Sequence, residues 1–248
     1  MRVGVLGGSG TAGSQAVLAL ERRGHEVRVL ARSSGVDVTT GAGMDAGLAG
    51  LDTLVDCLGV EKATERAARP VLVDGLRSTL ERAAHLGVGH VVSLSILHCD
   101  RIPMGYYRAK VAQEEVIRTG PLPGTVLRAT QFHQLLDRAW RTTRFVGIIL
   151  APNGLLSPLD PRDVGDRLAD AVEAGSDGPT RLQLCGPQDL QVRDLAHAWR
   201  TANRSPRPVV PLPAVGGALR ALAAGLFVDA DAPRGTRTFG SWLEENRT

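Results

Sequence analysis

The nine residues "VLGGSGTAG", 5–13, constrain this chain more than any other stretch. They place glycines at 7, 10 and 13 directly between an apolar strand pattern, 2–7, and a helical pattern that Gly24 closes. A tight turn at that point needs positive φ, which glycine adopts without strain. A helix start just behind it offers unpaired N–H groups and the positive end of a dipole. Between a strand and a helix, such a loop predicts a pyrophosphate cradle built from Gly7, Ser9, Gly10, Thr11, Ala12 and Gly13. Two other readings fail here. "GGSG" lacks the second glycine of GxSxG, and GxxxxGK[ST] occurs nowhere in the chain.

Further along, short β-rich runs alternate with longer helical patterns. Strands are expected at 2–7, 25–32, 52–59, 90–97 and 124–130, and helices at 71–87, 107–120, 161–175 and 189–202. This order predicts an α/β fold, a Rossmann-type doubly wound parallel sheet, with a small C-terminal substrate-binding lobe. Residues 1–130 read as the dinucleotide-binding core and 131–248 as a substrate lobe interwoven with it, with 204–217 rich in loop.

Composition narrows the function classes. The 248 residues carry a net charge of +3 from interspersed arginines, with 4% aromatic residues and no basic stripe, so a nucleic-acid surface is not expected. Cys57, Cys99 and Cys185 are widely spaced and form no CxxC pair, and the six histidines form no HxxxH or HExxH pair. Neither a disulfide framework nor a metal site is expected. The start shows no signal-peptide pattern, and the apolar segment 209–228 is broken by prolines and Arg220. A cytoplasmic protein without a membrane span is the expectation, with its oligomeric state open.

The end of the second strand pattern bears on which dinucleotide fits. A ribose 2′-hydroxyl is usually held by an acidic residue about 20 positions after the loop. This chain has "LARSS" there, with Arg32 and Ser33 in place of a carboxylate. A guanidinium matches phosphate oxygens at two points, which favours NADP(H) over NAD(H).

Both tyrosines and one of the only two lysines fall in "GYYRAKVAQEE", 105–115. Tyr106 and Lys110 are four apart and so share one helix face. A phenol can give a proton to a carbonyl oxygen as hydride arrives, and an ammonium beside it favours its ionised form. Arginine, with its spread planar charge, does not replace a point charge there. A third partner should be a hydroxyl near the end of the preceding strand. Ser93 and Ser95 share a face, and Ser95, nearer the C-terminal end, is the better candidate.

With these marks assembled, the chain resembles the atypical, NmrA-like short-chain dehydrogenases/reductases over nearly its whole length. "VLGGSGTAG", "GHEVRVLAR", "VVSLSIL", "GYYRAKVAQEE" and "VLRATQFHQLL" carry the resemblance, with "DPRDV" and "GTRTFGSWLEE" behind them. It implies that Asp37 and Val38 lie near the adenine, that Cys57, Leu58 and Gly59 cover one side of the cofactor, and that "ATQFH" lines the cleft. Where relatives have an "NAG"-type sequence this chain has "CLG", a departure that bears on the asparagine relay of the classical enzymes.

The expected function is an NADPH-dependent reductase of a bulky apolar ketone or quinone, with Tyr106 as proton donor. A small molecule is the expected partner. Phe132, Leu136 and Trp140 fall at i, i+4 and i+8 and are expected to wall the substrate cleft together with His133. Two other readings stand beside it: a non-catalytic NADP(H)-sensing regulator, and an epimerase or isomerase that uses its cofactor transiently.

Overall fold

Strands buried on both faces read as continuous apolar runs, and "RVGVL" and "TLVD" become the centre of a parallel sheet for that reason. A computed structural model describes residues 1–60, 64–178 and 180–246. Lys62 lies outside them. The first half contains β1 (Arg2–Leu6), α1 (Thr11–Arg22), β2 (Glu26–Leu30), α2 (Met44–Leu48), β3 (Thr53–Asp56), α3 (Glu65–Arg69), α4 (Leu76–His85), β4 (His90–Ile96), α5 (Gly105–Thr119) and β5 (Gly124–Ala129). The second half adds α6 (His133–Thr142), β6 (Ile149–Pro152), β7 (Leu155–Leu156), α7 (Pro161–Ala174), β8 (Arg181–Leu184) and β9 (Leu190–Gln191). It ends with α8 (Val192–Ala202), β10 (Val209–Leu212), α9 (Gly217–Ala223) and α10 (Phe239–Glu245).

Six strands form one sheet in the order β2-β1-β3-β4-β5-β8, with every pairing parallel. The chain leaves β1 toward β2 on one side, then crosses back to β3 on the other. That reversal opens a crevice at the carboxyl ends of β1 and β3, where ligands of such sheets bind. Helices cover both faces. Ala12, Ala16, Ala19 and Leu20 of α1 pack with Val164, Leu168 and Val172 of α7 over Val3, Val5 and Leu127. Leu76 and Leu80 of α4 pack with Ala109, Val116 and Ile117 of α5 over Leu54 and Val91 on the other face.

A separate apolar cluster forms the lobe, with Trp140, Ile149, Trp199, Leu222, Phe239 and Trp242 at its centre. The division at residue 130 is not where the sheet ends, because its sixth strand, β8, and the covering helix α7 both come from beyond it. Within 204–217, expected as loop, Val209–Leu212 is a strand paired in parallel with Ile149–Pro152. A two-stranded ribbon is all edge, so Pro211 is tolerated there. Among the described residues no helix is long and apolar enough to cross a membrane.

Candidate active site

The glycine loop has the shape its sequence demands. Gly7 turns at φ +67°, with its N–H bonded to the Leu30 carbonyl at 2.9 Å. A Cβ on Gly13 would stand 2.2 Å from the Gly7 carbonyl oxygen, so only glycine lets α1 begin this close to the strand end. Gly10 caps α1 without a side-chain bond, and the first turn holds no acidic residue. Ser9, Gly10 and Thr11 are exposed while Ala12 and Gly13 are buried beneath them. The result is a backbone cradle with free N–H groups at a helix start, which suits a pyrophosphate.

After β2 the chain makes a short 3-10 turn, Arg32–Ser34. Ser34 is consumed by the turn, donating to the Val29 and Ala31 carbonyls. Arg32 and Ser33 stay exposed at the rim. Asp37 is half-exposed and accepts the Thr39 hydroxyl at 2.6 Å and its N–H at 2.8 Å. The Thr39 bonds hold its carboxyl below the usual carboxylate range, and the Arg32 charge adds to them. Val38 packs half-buried against the core beneath the same rim.

The second wall of the crevice is the turn at 57–59. A side chain on Gly7 would meet the Cys57 carbonyl at 2.8 Å, so this turn lies directly against the glycine loop. Burial, and then the Asp56 charge, push the Cys57 thiol up, which leaves it a poor nucleophile. On the other side, a Cβ on Gly59 would be 3.8 Å from the Tyr106 hydroxyl. Tyr106 sits half-buried in the first turn of α5 and thus brings its phenol to the crevice.

Lys110, one turn on, is buried at 4% exposure. Its ammonium donates to the Leu94 carbonyl at 2.9 Å and more weakly to the Leu58 carbonyl at 3.4 Å. The same helix face carries two residues that sequence reasoning passed over. Gln113 donates to the wholly buried Asp56 at 2.6 Å, and Glu114 forms a two-point pair with Arg128 of β5 at 2.7 and 2.9 Å. Asp56 also accepts Ser93 at 2.7 Å and the Leu58 N–H at 3.0 Å. A signal was present: 110, 113 and 114 continue the Tyr106 face, and polar residues on a buried helix face need partners.

Ser95 is placed differently from its expected role. Its hydroxyl is buried, donates to Glu114 at 2.5 Å and touches the Cys99 sulfur. Ser93 and Ser95 do share a face, but that face meets α5. Ser95 clamps α5 to β4 through Glu114 and Ser93 ties β4 to Asp56 of β3, so each hydroxyl proton already has a carboxylate acceptor.

Of the expected substrate wall, the structure places His133, Leu136 and Trp140 in the lobe core and leaves Phe132 half-buried. His133, not Phe132, opens α6, and the buried stripe of that helix is His133, Leu136 and Trp140. Trp140 packs on Trp199 and Phe239 and donates its indole N–H to the Leu150 carbonyl. His133 is wholly buried against Phe239 and Trp242, and burial lowers its pKa. Phe132 is half-buried beside the sheet core and forms an isolated bridge with Leu159. The stripe is lobe core, because α10 folds over it.

No family model and no curated protein matches this chain. Solved structures do. A short-chain dehydrogenase/reductase superfamily protein from Agrobacterium tumefaciens with bound NAD is similar over 99% of this chain and 95% of its own, at 17% identity and TM-score 0.71. An NADPH-dependent quinone oxidoreductase from Escherichia coli, complexed with NADPH, covers 98% and is itself covered to 99%, at 17% identity and TM-score 0.76. A UDP-glucose-4-epimerase from Stenotrophomonas maltophila with bound NAD matches over 98% of this chain and 96% of its own, at 16% identity and TM-score 0.75. With its parallel sheet, glycine loop and two helix layers, the chain has the Rossmann-type fold that these solved structures share.

Proposed function

We propose that the protein is an NADPH-dependent reductase of a carbonyl or quinone substrate. One observation carries the reading: the Tyr106 hydroxyl faces a turn whose other side lies against Gly7 of the glycine loop. A proton donor therefore stands at the crevice where a dinucleotide would lie. The residues fit that group, since glycine at 7 and 13 lets the Cys57 turn and the start of α1 close on the loop, and α1 begins with unshielded N–H groups. When bound, the nicotinamide would supply a hydride.

The chain's own groups do the rest. The 7–13 loop and the start of α1 would hold the pyrophosphate, and Arg32 with Ser33 the 2′-phosphate. Asp37 and Val38 would border the adenine, and Cys57, Leu58 and Gly59 the opposite wall. Lys110 fixes that wall through the Leu58 carbonyl and sets a positive charge one turn from the phenol. Tyr106 would give its proton to the substrate oxygen. Ile96, Met104 and Leu226 are half-buried against the lobe core alongside Tyr106, which supports an apolar substrate.

The E. coli quinone oxidoreductase supports the reductase class, and the epimerase among the similar structures supplies the second reading. Stoichiometry separates them. A panel of polycyclic ketones, quinones, short aldehydes and nucleotide sugars, scored by NADPH consumed per product formed, should show one-to-one oxidation with a ketone or quinone. Turnover of nucleotide sugars alone, with no net NADPH loss, would establish the epimerase instead.

A further inference from the structure

We infer that Asp56 is a positioning residue, which locks the turn at 57–59 and helix α5 into one register so that the cleft wall and Tyr106 keep a fixed relation. The inference rests on the reading of this crevice as a dinucleotide site.

Asp56 ends β3 and is wholly buried. A carboxylate removed from water is costly unless its oxygens are satisfied. Among the described residues no cation lies within ion-pair distance of it, unlike the buried Asp160, which pairs with Arg162. Three neutral donors satisfy it instead, and each comes from a different piece of the molecule. The Leu58 N–H comes from the turn, the Ser93 hydroxyl from β4 and the Gln113 amide from α5. Oδ1 takes the first and Oδ2 the other two, so both oxygens face donors. An alanine leaves all three donors facing no acceptor, whereas an asparagine could keep them by turning its NH2 to the Ser93 oxygen and a flipped Gln113 amide.

Leu58 is held from both sides. Its N–H goes to Asp56 and its carbonyl accepts Lys110. The turn so pinned stands between Gly7 and the Tyr106 hydroxyl. Loss of the carboxylate would free the Leu58 peptide and the Gln113 anchor of α5 at once. A buried residue with a purely structural role would lower stability and nothing more. The geometry here requires a local loosening at Leu58 and a weaker dinucleotide as well.

The test compares Asp56→Ala with Thr79→Val, which removes a buried hydroxyl bonded to the Gly75 carbonyl and touches neither Leu58 nor Asp56. Amide exchange at Leu58 is measured in the free proteins, and NADPH is titrated by its fluorescence. Asp56→Ala should speed Leu58 exchange and weaken NADPH binding by about tenfold each, the scale of a lost hydrogen bond to a charged group. Thr79→Val should change neither. Ser93→Ala removes one of the three donors and should move both readouts the same way by about threefold; it decides the matter if Asp56→Ala does not fold. Leu58 protection and NADPH affinity no worse than in Thr79→Val overturn the inference. If the wild type binds neither NADPH nor NADH, the cofactor reading falls, and Leu58 exchange alone decides whether Asp56 holds the turn.

Discussion

Ser95 gives its hydroxyl proton to Glu114 across 2.5 Å. Glu114 in turn holds the Arg128 guanidinium at two points, and Arg128 reaches Asp100 at 2.8 Å. Burial works against the Arg128 charge, yet the Glu114 bonds raise its pKa overall. The cluster therefore ties α5 to β4 and β5. Glu114→Gln leaves a buried guanidinium half-matched and should cost about 3–5 kcal/mol of stability, measured by urea unfolding. Ser95→Ala removes only one neutral donor. It should cost about 1 kcal/mol and leave kcat within about threefold, against the hundredfold or more expected of a hydroxyl that polarises the substrate oxygen. A larger loss of turnover would return Ser95 to the chemistry.

Gly13→Ala should abolish tight dinucleotide binding. The new Cβ would stand 2.2 Å from the Gly7 carbonyl, so the helix start must back away from the loop. A loss of NADPH affinity of at least about tenfold, or ~1.4 kcal/mol, is expected by titration. Gly24→Ala is the control, since it meets no atoms but forces a side chain to φ +79°. It should lower stability by about 1–2 kcal/mol and leave affinity unchanged.

Arg32→Ala separates the two dinucleotides. Arg32 is exposed and its side chain makes no hydrogen bond or ion pair among the described residues, so its guanidinium is free to meet a phosphate. NADPH binding should weaken by about 1–3 kcal/mol with NADH nearly untouched. Equal losses for the two would remove Arg32 from the 2′-phosphate.

Tyr106→Phe should keep NADPH affinity and lower kcat by about 10²–10⁴, because only the proton is lost. Lys110→Met should lower both, since Lys110 also holds the Leu58 carbonyl of the cleft wall. Saturating-substrate kinetics with a ketone or quinone from the panel decides it. Near-normal kcat in the phenylalanine variant would mean that the proton comes from elsewhere.

The sheet was legible because its signals are local. Strand runs such as "RVGVL" and the 7–13 glycines carry their own geometry, and Tyr106 and Lys110 share a face by helix spacing alone. What escaped was pairing across elements. That Ser95 would be taken by Glu114, 19 residues away, depends on how α5 crosses β4, and no period in the sequence encodes that crossing. The stripe on α6 was visible as apolar, but its burial follows from α10, which arrives about a hundred residues later and lays Phe239 and Trp242 over His133. Periodicity shows that a face is covered and is silent on what covers it.

His133 and His90 make stability depend on pH in a defined window. Burial lowers the pKa of both, and for His133 it outweighs the Pro158 backbone and then the charges of Asp160 and Asp163, which act the other way. The folded protein thus favours neutral imidazoles, whereas in the unfolded chain they take protons near pH ~6.5. Below that point the unfolded state binds more protons, so stability falls as pH drops and is fully present above it. Asp160 and Asp189 have lowered pKa values, so their contributions are lost only on further acidification, below the range of free carboxylates at ~4. Between about pH 6.5 and 5 the slope belongs to the histidines. Urea midpoints followed by tryptophan fluorescence suit the test, because Trp140, Trp199 and Trp242 all lie in the lobe core that encloses His133. The wild type should lose stability over that interval. His133→Leu, which keeps the contact with Phe239 and Trp242 apolar, should flatten the curve and leave only the His90 contribution. An unchanged slope in His133→Leu would show that the buried ring already takes its proton without cost.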